Sequence, residues 1–504
     1  MGIIKKQDKE IPFRLETEVP PFRSLWIGTL QGTWEEMGRQ YGQRAGRDIA
    51  RNFDLWWEEN VLSQRLEWQK GRTDEERTTY CRDYFQRSLR EFSCLSPEIV
   101  ELFEAIGQGA AKELDHCVHG RKVAHLLKIA MLNTPRCNLH PAWDFNSDRP
   151  HEAKADRIPS PVAEHDCNGF WVKGKATKTG ESYATRSAQS VPAKAGGSGR
   201  ERQVAYVAIP KDPRARVFWG NGRAGNLGGL GGGLLNDRGV CGLTSGAQSE
   251  ESNAQPDETL APGIVDFWRA SYGVIFSESA REAAEKVTLG TEEYRSATGR
   301  KTVMKNRGCN IVFADANEAF VVEQNSGHYF IRKPGDLDEK GADYIVHANH
   351  FMSNRGSYDK DNVFHGDEPM TKFCPEKEGR SSYYRFWSGM WMLHHSYGTI
   401  DLDVIMQDLV SSHDAYDRSG RKYPSDPETG APTLRGTWCT HEGEKTEEYP
   451  LGTMASIETS VFNLSRLEVR WVPIMPCHHK RWSLDWHYMD LAPFRDYRKM
   501  LWGY

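Results

Sequence analysis

Ten cysteines lie along the chain and no two form a CxxC pair. Neither a zinc ribbon nor a disulfide framework is therefore expected in a chain this long. Buried thiols acting as small hydrophobes are the default, so a reactive cysteine must stand out by context. Cys167 does, because it sits where the polar, proline-containing stretch 146–166 (NSDRPHEAKADRIPSPVAEHD) gives way to the strand-like CNGFWVKGKA. Its plain reading is a half-buried thiol on a strand. Cys439 and His441 in TWCTH stand two apart on one face of a strand, but no cysteine-protease signature surrounds them. Cys477-His478-His479 offers a weak metal reading, and core or surface roles are expected for both groups. His347 and His350 in YIVHANHF are three apart, and strand alternation points them to opposite faces, so no metal is expected. Gly220, Gly222 and Gly225 have GxGxxG spacing, yet a turn and strand follow them rather than a helix that could face a pyrophosphate. An irregular loop whose glycines allow close backbone approach is expected there, and no cofactor.

Local patterns outline the elements that must position these residues. Thr33-Trp34-Glu35-Glu36 is a capping box ahead of MGRQYGQRAGRDIARNFDLWW, and Ser96-Pro97-Glu98 opens another helix with an N-cap and a first-turn proline. Gly38, Gly42 and Gly46 recur on one face of the first helix, although a glycine there costs about 1 kcal/mol against alanine. Close packing against a neighbouring element is the expected reason; chance in a glycine-rich chain is the bland one. Beyond residue 166, CNGFWVKGKA, YATRS, RQVAYVAIP and RVFWG read as strands, with TKTG turning between the first two. Helices return in GIVDFWRASYGVIFSESAREAAEKV. Strands return in CNIVFADANEAFVVEQNSGHYFIRK, with turns at Asp315-Ala316-Asn317 and Asn325-Ser326-Gly327. YIVHANHF is a strand running into a loop, SSYYRFWSGMWMLHH and DLDVIMQDLVSSH a helical pair, and TMASIETSVFNLSRLEVRWVP a hairpin turning near Asn463. Strands between two blocks of helices imply sheets covered by helical layers.

Composition excludes several classes. The chain of 504 residues is 38% hydrophobic and 27% charged, which suits a globular protein with a sizeable core. Its 70 acids and 65 bases are spread throughout, so no basic stripe argues for nucleic acid. No apolar run approaches a membrane span, and MGIIKKQDKEIPF lacks the core of a secretory signal. Lys6 occupies the position that a myristoylation signal fills with Ser or Thr, and LWGY is no peroxisomal address. A cytoplasmic location is the expectation.

Several segments, in chain order, resemble the N-terminal-nucleophile amidases of the isopenicillin-N acyltransferase and choloylglycine hydrolase group. GTWEEMGRQYGQRAGRDI resembles that group's early glycine-rich helix, and DCNGFWVKGKATKTGESYATRSAQS its nucleophile strand and returning hairpin. LLNDRGVCGLTSG, NIVFADANEAFVVE, HANHF and SSYYRF resemble four further landmarks, and TWCTH with TMASIETSVFNLSRLEVRW and MPC the closing strands of the acyltransferase branch. The resemblance implies an α+β fold, a four-layer αββα sandwich with a helical N-terminal region. Residues 1–166 would be that region, packed on the core and a candidate for release, and 167–504 the catalytic core. It further implies that the chain cuts itself between Asp166 and Cys167, leaving Cys167 as nucleophile with a free α-amine. Such an amine titrates at roughly 7.7–8.0 and can act as general base to its own side chain. Asn349 then falls on the oxyanion asparagine, whose plain alternative is an Asn turning the chain at a strand end. Arg385 falls on the group's active-site arginine, whose dull alternative is a solvated helix arginine.

The chain departs from the group at the returning hairpin. The choloylglycine branch has Arg-Asn-x-Asp there; this chain keeps Arg186 but has Ser187 and Gln189. A neutral amide can hydrogen-bond an amine but cannot favour its protonated form as a carboxylate does. A second oxyanion asparagine is replaced by Thr244, whose hydroxyl or backbone N–H could substitute. What the resemblance implies is cleavage of a linear amide C–N bond in a small N-acylated or peptide-like substrate through an acyl-thioester. Acyl transfer to an amine and a silent binding protein of the same fold stand as alternatives. The assembly stays open between a homo-oligomer and a heterodimer of cleaved chains.

Overall fold

The computed structural model describes residues 2–6, 9–13, 24–62, 71–134, 166–190, 202–228, 233–246, 263–303, 309–324, 329–337, 342–350, 352, 356–358, 364–366, 381–417, 419–423, 437–439, 441–442, 454–472, 476–478 and 486–504. The loop expected before residue 166 and the turn expected at 325–327 lie outside them. Most of the stretches 190–203 and 355–380 lie outside them as well.

Among the described residues before 166 the chain is largely helical: α1 (Trp34–Trp57), α2 (Asp74–Leu95), α3 (Pro97–Gly109) and α4 (His125–Leu132). The expected capping box starts α1. Thr33 Oγ1 accepts from the Glu36 amide at 3.2 Å, and Glu36 Oε2 accepts from the Thr33 amide at 2.7 Å. Met37, Tyr41, Ala45, Ile49, Phe53 and Trp56 form its buried stripe at helical spacing. The glycine face beside that stripe meets α3. A Cβ on Gly42 would lie 2.2 Å from the Ile106 carbonyl oxygen, so the backbones touch only because the side chain is missing. A strand that local patterns leave unread precedes these helices, β1 (Ser24–Gly32).

Two large sheets follow from the chain beyond residue 166. β2 (Asp166–Gly174) and β3 (Gly180–Ser190) form the expected hairpin. β4 (Gln203–Pro210), β5 (Phe218–Arg223), β6 (Gly233–Asn236), β7 (Cys241–Gly246), β8 (Cys309–Ala314), β9 (Ala319–Gln324) and β10 (Tyr329–Arg332) run in sequence across one eight-stranded sheet. β1 closes its edge by pairing with β4, in parallel, so the N-terminal stretch contributes a strand as well as helices. β11 (Tyr344–His347), β12 (His441–Glu442), β13 (Met454–Asn463), β14 (Glu468–Val472) and β15 (His487–Asp490) complete a seven-stranded sheet of order β11-β2-β3-β13-β14-β15, with β12 beside β13. The glycines expected in a loop lie partly in the first sheet: Gly220 and Gly222 belong to β5, and a Cβ on Gly220 would lie 2.7 Å from the Tyr206 ring.

The fold is thus mixed α+β, with two large sheets and helices. Three apolar clusters show what each face buries. Trp171, Ala184, Phe462 and Trp471 of one sheet meet Val207, Trp219, Leu243 and Val312 of the other in a shared core. The other face of the eight-stranded sheet, through Tyr206, Ile311 and Val322, packs with α1 to α4 and with the helix α5 (Asp266–Ile275). The other face of the seven-stranded sheet, through Phe170, Val346 and Val461, packs with Phe386, Met390 and Leu393 of α6 (Ser381–His395). Among the described residues no helix is long and apolar enough to cross a membrane.

Candidate active site around Cys167

Register decides which way Cys167 looks. It pairs with Ala188, as Gly169 pairs with Arg186 and Trp171 with Ala184. On the next strand Ala188 pairs with Glu458, Arg186 with Ser460 and Ala184 with Phe462. Trp171, Ala184 and Phe462 all belong to the core between the sheets. Strand alternation therefore puts Cys167, Arg186, Ala188 and Glu458 on that same inward face. Cys167 is 4% exposed and packs on Ala188 in a small cluster separate from the aromatic core.

Three residues grip Cys167. The amide nitrogen of Cys167 donates to Asn349 Oδ1 at 2.5 Å, and Arg385 Nη1 donates to the Cys167 carbonyl at 2.5 Å. Arg186 Nη2 lies 3.3 Å from Cys167 Sγ. Both guanidiniums are fully buried. Arg186 also spans the sheets, donating from Nε to the Thr244 carbonyl at 3.0 Å, and Arg385 donates from Nη2 to Asn349 Oδ1 at 3.0 Å. A cation beside the sulfur stabilises negative charge there.

Asn349 follows β11 and is held from several directions. Asn310 Nδ2 donates to the carbonyls of Ala348 and His350, each at 2.8 Å. The Asn349 amide donates to Ser382 Oγ at 2.9 Å, and its Nδ2 donates to the Gly246 carbonyl at 2.8 Å. Asn349 thus turns its side-chain oxygen, rather than its nitrogen, toward the Cys167 amide.

The two histidines part as alternation expects. His347 Nδ1 hydrogen-bonds with Ser245 Oγ at 3.0 Å and His350 Nδ1 with Ser382 Oγ at 2.6 Å. Burial pushes both imidazoles down to about 3, aided for His347 by Arg186, Arg332 and Arg385, and for His350 by Arg385 and Arg332. Both rings are neutral near pH 7. The His347 ring occupies the room that Gly169 leaves: a Cβ there would lie 2.4 Å from Nε2. That Nε2 is buried and has no hydrogen-bond partner among the described residues.

Local sequence patterns pass over Glu458. Burial pushes its carboxyl up to about 8, against the lowering pull of Arg186 and Arg223. Across the sheet gap it accepts from Asn221 Nδ2 at 2.8 Å. The available signal was parity: Glu458 shares a strand face with Phe462, where a carboxylate is out of character.

The remaining candidates face elsewhere. Gln189 donates to Asn168 Oδ1 at 2.8 Å and to the Trp438 carbonyl at 3.2 Å, on the opposite face of the sheet from Cys167. Ser187 bonds with Thr459 at 3.0 Å on that same face. Thr244 pairs with Ile311, whose side chain looks toward the helices, so Thr244 meets Arg186 through its carbonyl. Its neighbour Ser245 takes the inward position. The backbone of Asp166 pairs with Gln189 at the start of β2.

No protein-family model matches the sequence, and none of the curated proteins matches it. Among solved structures, the chain is similar to a mutant of conjugated bile acid hydrolase from Clostridium perfringens, at 9% identity and a TM-score of 0.36. The alignment covers 65% of this chain and 93% of that one. A second variant of the same hydrolase aligns over the same shares at 8% identity and a TM-score of 0.32. Superpositions this loose leave the reading of the site to its own side chains.

Proposed function

We propose that the chain is a self-processing cysteine amidohydrolase of the N-terminal-nucleophile type, an αββα sandwich that cleaves linear amides of small N-acylated or peptide-like molecules. One observation carries the reading: the nitrogen and carbonyl of Cys167 are held by Asn349 and Arg385 from two remote segments, and its sulfur lies beside Arg186 of the paired strand β3. A merely structural thiol needs no such grip. The order of landmarks along the sequence supports the same reading.

In the first step Sγ attacks the Asp166 carbonyl carbon. The Asp166–Cys167 C–N bond breaks, and the nitrogen takes the thiol proton. Water then hydrolyses the thioester, leaving a carboxylate on Asp166 and a free α-amine on Cys167. In turnover that amine takes the thiol proton, and the thiolate attacks the substrate amide carbon. The leaving amine carries the proton away, and water releases the acyl group from sulfur. Asn349 Oδ1 orients the Cys167 nitrogen, Arg186 stabilises charge on sulfur, and Arg385 fixes the Cys167 carbonyl. Asn349 Nδ2 keeps one N–H on the Gly246 carbonyl and offers the other to the developing oxyanion, a role worth about 10²- to 10³-fold in rate. The sulfur is almost covered in the uncut chain, so substrate access comes with the break.

A second reading, a silent binding protein of this fold, is favoured by that burial and by Gln189 turning away from the Cys167 amine. Intact-mass measurement separates the two. The enzyme gives a break before Cys167 that Cys167→Ala abolishes, and a cysteine-directed acylating probe that labels the new terminus. A chain that stays whole and resists the probe would overturn the proposal. An amide panel run with and without an amine acceptor then distinguishes hydrolysis from acyl transfer.

A further inference from the structure

We infer that His413, Cys439 and Cys477 form a zinc-binding site with three protein ligands. Along the chain, only the weak signal of Cys477-His478-His479 and the Cys439–His441 spacing hint at a metal, and neither brings His413, Cys439 and Cys477 together. The fold supplies the partners. A ring nitrogen of His413 and the sulfurs of Cys439 and Cys477 all lie within 4.8 Å of one another. In a tetrahedral zinc site, bonds of roughly 2.3 Å to sulfur and 2.0–2.1 Å to nitrogen set neighbouring ligand atoms about 3.5–3.8 Å apart. The observed spread of at most 4.8 Å exceeds those separations by no more than about 1.3 Å.

The three ligands converge for reasons visible in the backbone. The Cys439 amide donates to the Ser412 carbonyl at 2.9 Å, which sets His413 beside the cysteine. Cys477 lies in the short turn of helix Pro476–His478. Cys439 is fully buried, Cys477 partly buried and His413 exposed, so an ion has a path from solvent to its innermost ligand. Two thiolates and an imidazole suit a borderline-soft divalent ion, with zinc the best match, and water takes the fourth position. Binding releases one proton from each thiol, and the thiolate charges cancel that of the ion, so a neutral unit is buried.

The site adjoins a wall of the cysteine centre. Trp438 precedes Cys439; its indole Nε1 donates to the Arg385 carbonyl at 2.9 Å, and its ring stands 5.3 Å from that of Phe170. The ion clamps that wall and takes no part in the reaction, so the inference stands whether or not Cys167 is a nucleophile.

The test uses the full chain, stripped of metal under reducing conditions and titrated with zinc and, separately, cobalt(II). About one ion per chain is expected, with thiolate-to-cobalt charge-transfer absorption and a higher melting temperature when loaded. Cys477→Ser and His413→Ala, at positions open enough to leave folding intact, should each weaken uptake at least about tenfold, since even outer-shell changes reach that size. Cys94→Ser, at another partly buried cysteine, should leave uptake unchanged. Three results would each overturn the inference: no uptake by reduced protein, uptake equal in the wild type and both ligand variants, or a Cys439–Cys477 disulfide that persists under reduction.

Discussion

The layer between the two sheets has two ends, built on the same strands and unlike in character. At one end Trp219 stands 5.1 Å from Trp471 and 5.9 Å from Phe462, with Trp171 and Leu243 filling the space around them. At the other end β2 offers Cys167 instead of Trp171, β3 offers Arg186 and Ala188 instead of Ala184, β5 offers Asn221 instead of Trp219, and β13 offers Glu458 instead of Phe462. Alternation chooses the face for both ends; residue type alone decides whether the face becomes apolar or polar. The aromatic end holds the sheets together by burying apolar surface. The polar end holds them by directed bonds, Arg186 to the Thr244 carbonyl and Asn221 to Glu458, and there burial and charge perturb the titration of His347 and Glu458.

If that division is real, changes at the two ends should separate in what they damage. The largest effect is expected from Cys167→Ala, which should remove both the chain break and amide turnover, read by intact mass and product assay, while denaturation shifts by only about 1 kcal/mol, as for other small core changes. Retained cleavage in that variant would break the comparison at once. Trp219→Ala should do the opposite. It should cost about 3–5 kcal/mol in urea denaturation, with labelling of Cys167 by an acylating probe surviving wherever the variant is still folded.

Asn349→Ala should lower the rate of amide cleavage by about 10²- to 10³-fold, if its amide meets the oxyanion, with a smaller change in KM. Equal losses in kcat and binding would instead point to a general collapse of the polar end.

The smallest effects are in pH dependence, where the polar end should show two opposing slopes. Glu458 is raised to about 8, so the stability it contributes is complete below its ordinary range near 4.5 and is lost as pH rises toward 8. The slope is at most about 1.4 kcal/mol per pH unit. His347 is depressed to about 3, so its contribution is complete above about 6.5 and is lost as pH falls toward 3. Glu458→Gln should therefore flatten the alkaline side of the denaturation profile and His347→Gln the acid side. A variant at the aromatic end should lower the whole profile evenly.

Much of this protein was legible in short stretches of sequence. The capping box at Thr33 and Glu36, the Ser96 cap, the hairpin through 175–179, the strand at Tyr344–His347 and the helix at Ser381–His395 all depend on neighbours a few residues apart, so periodicity and turn chemistry suffice. The strand that carries Cys167 was legible in the same way. The parallel pairing of Ser24–Gly32 with Gln203–Pro210 was not, because strand partners far apart in the chain leave no periodic trace. Which side of the sheet Gln189 and Thr244 face also waited on register, since a shift of one residue exchanges the two faces. The grip of Asn349, Arg186 and Arg385 on Cys167, the buried Glu458, and the meeting of His413 with Cys439 and Cys477 were decided only by packing. The local chain chooses elements and their faces, and long-range docking of the sheets chooses which polar groups share one dry space.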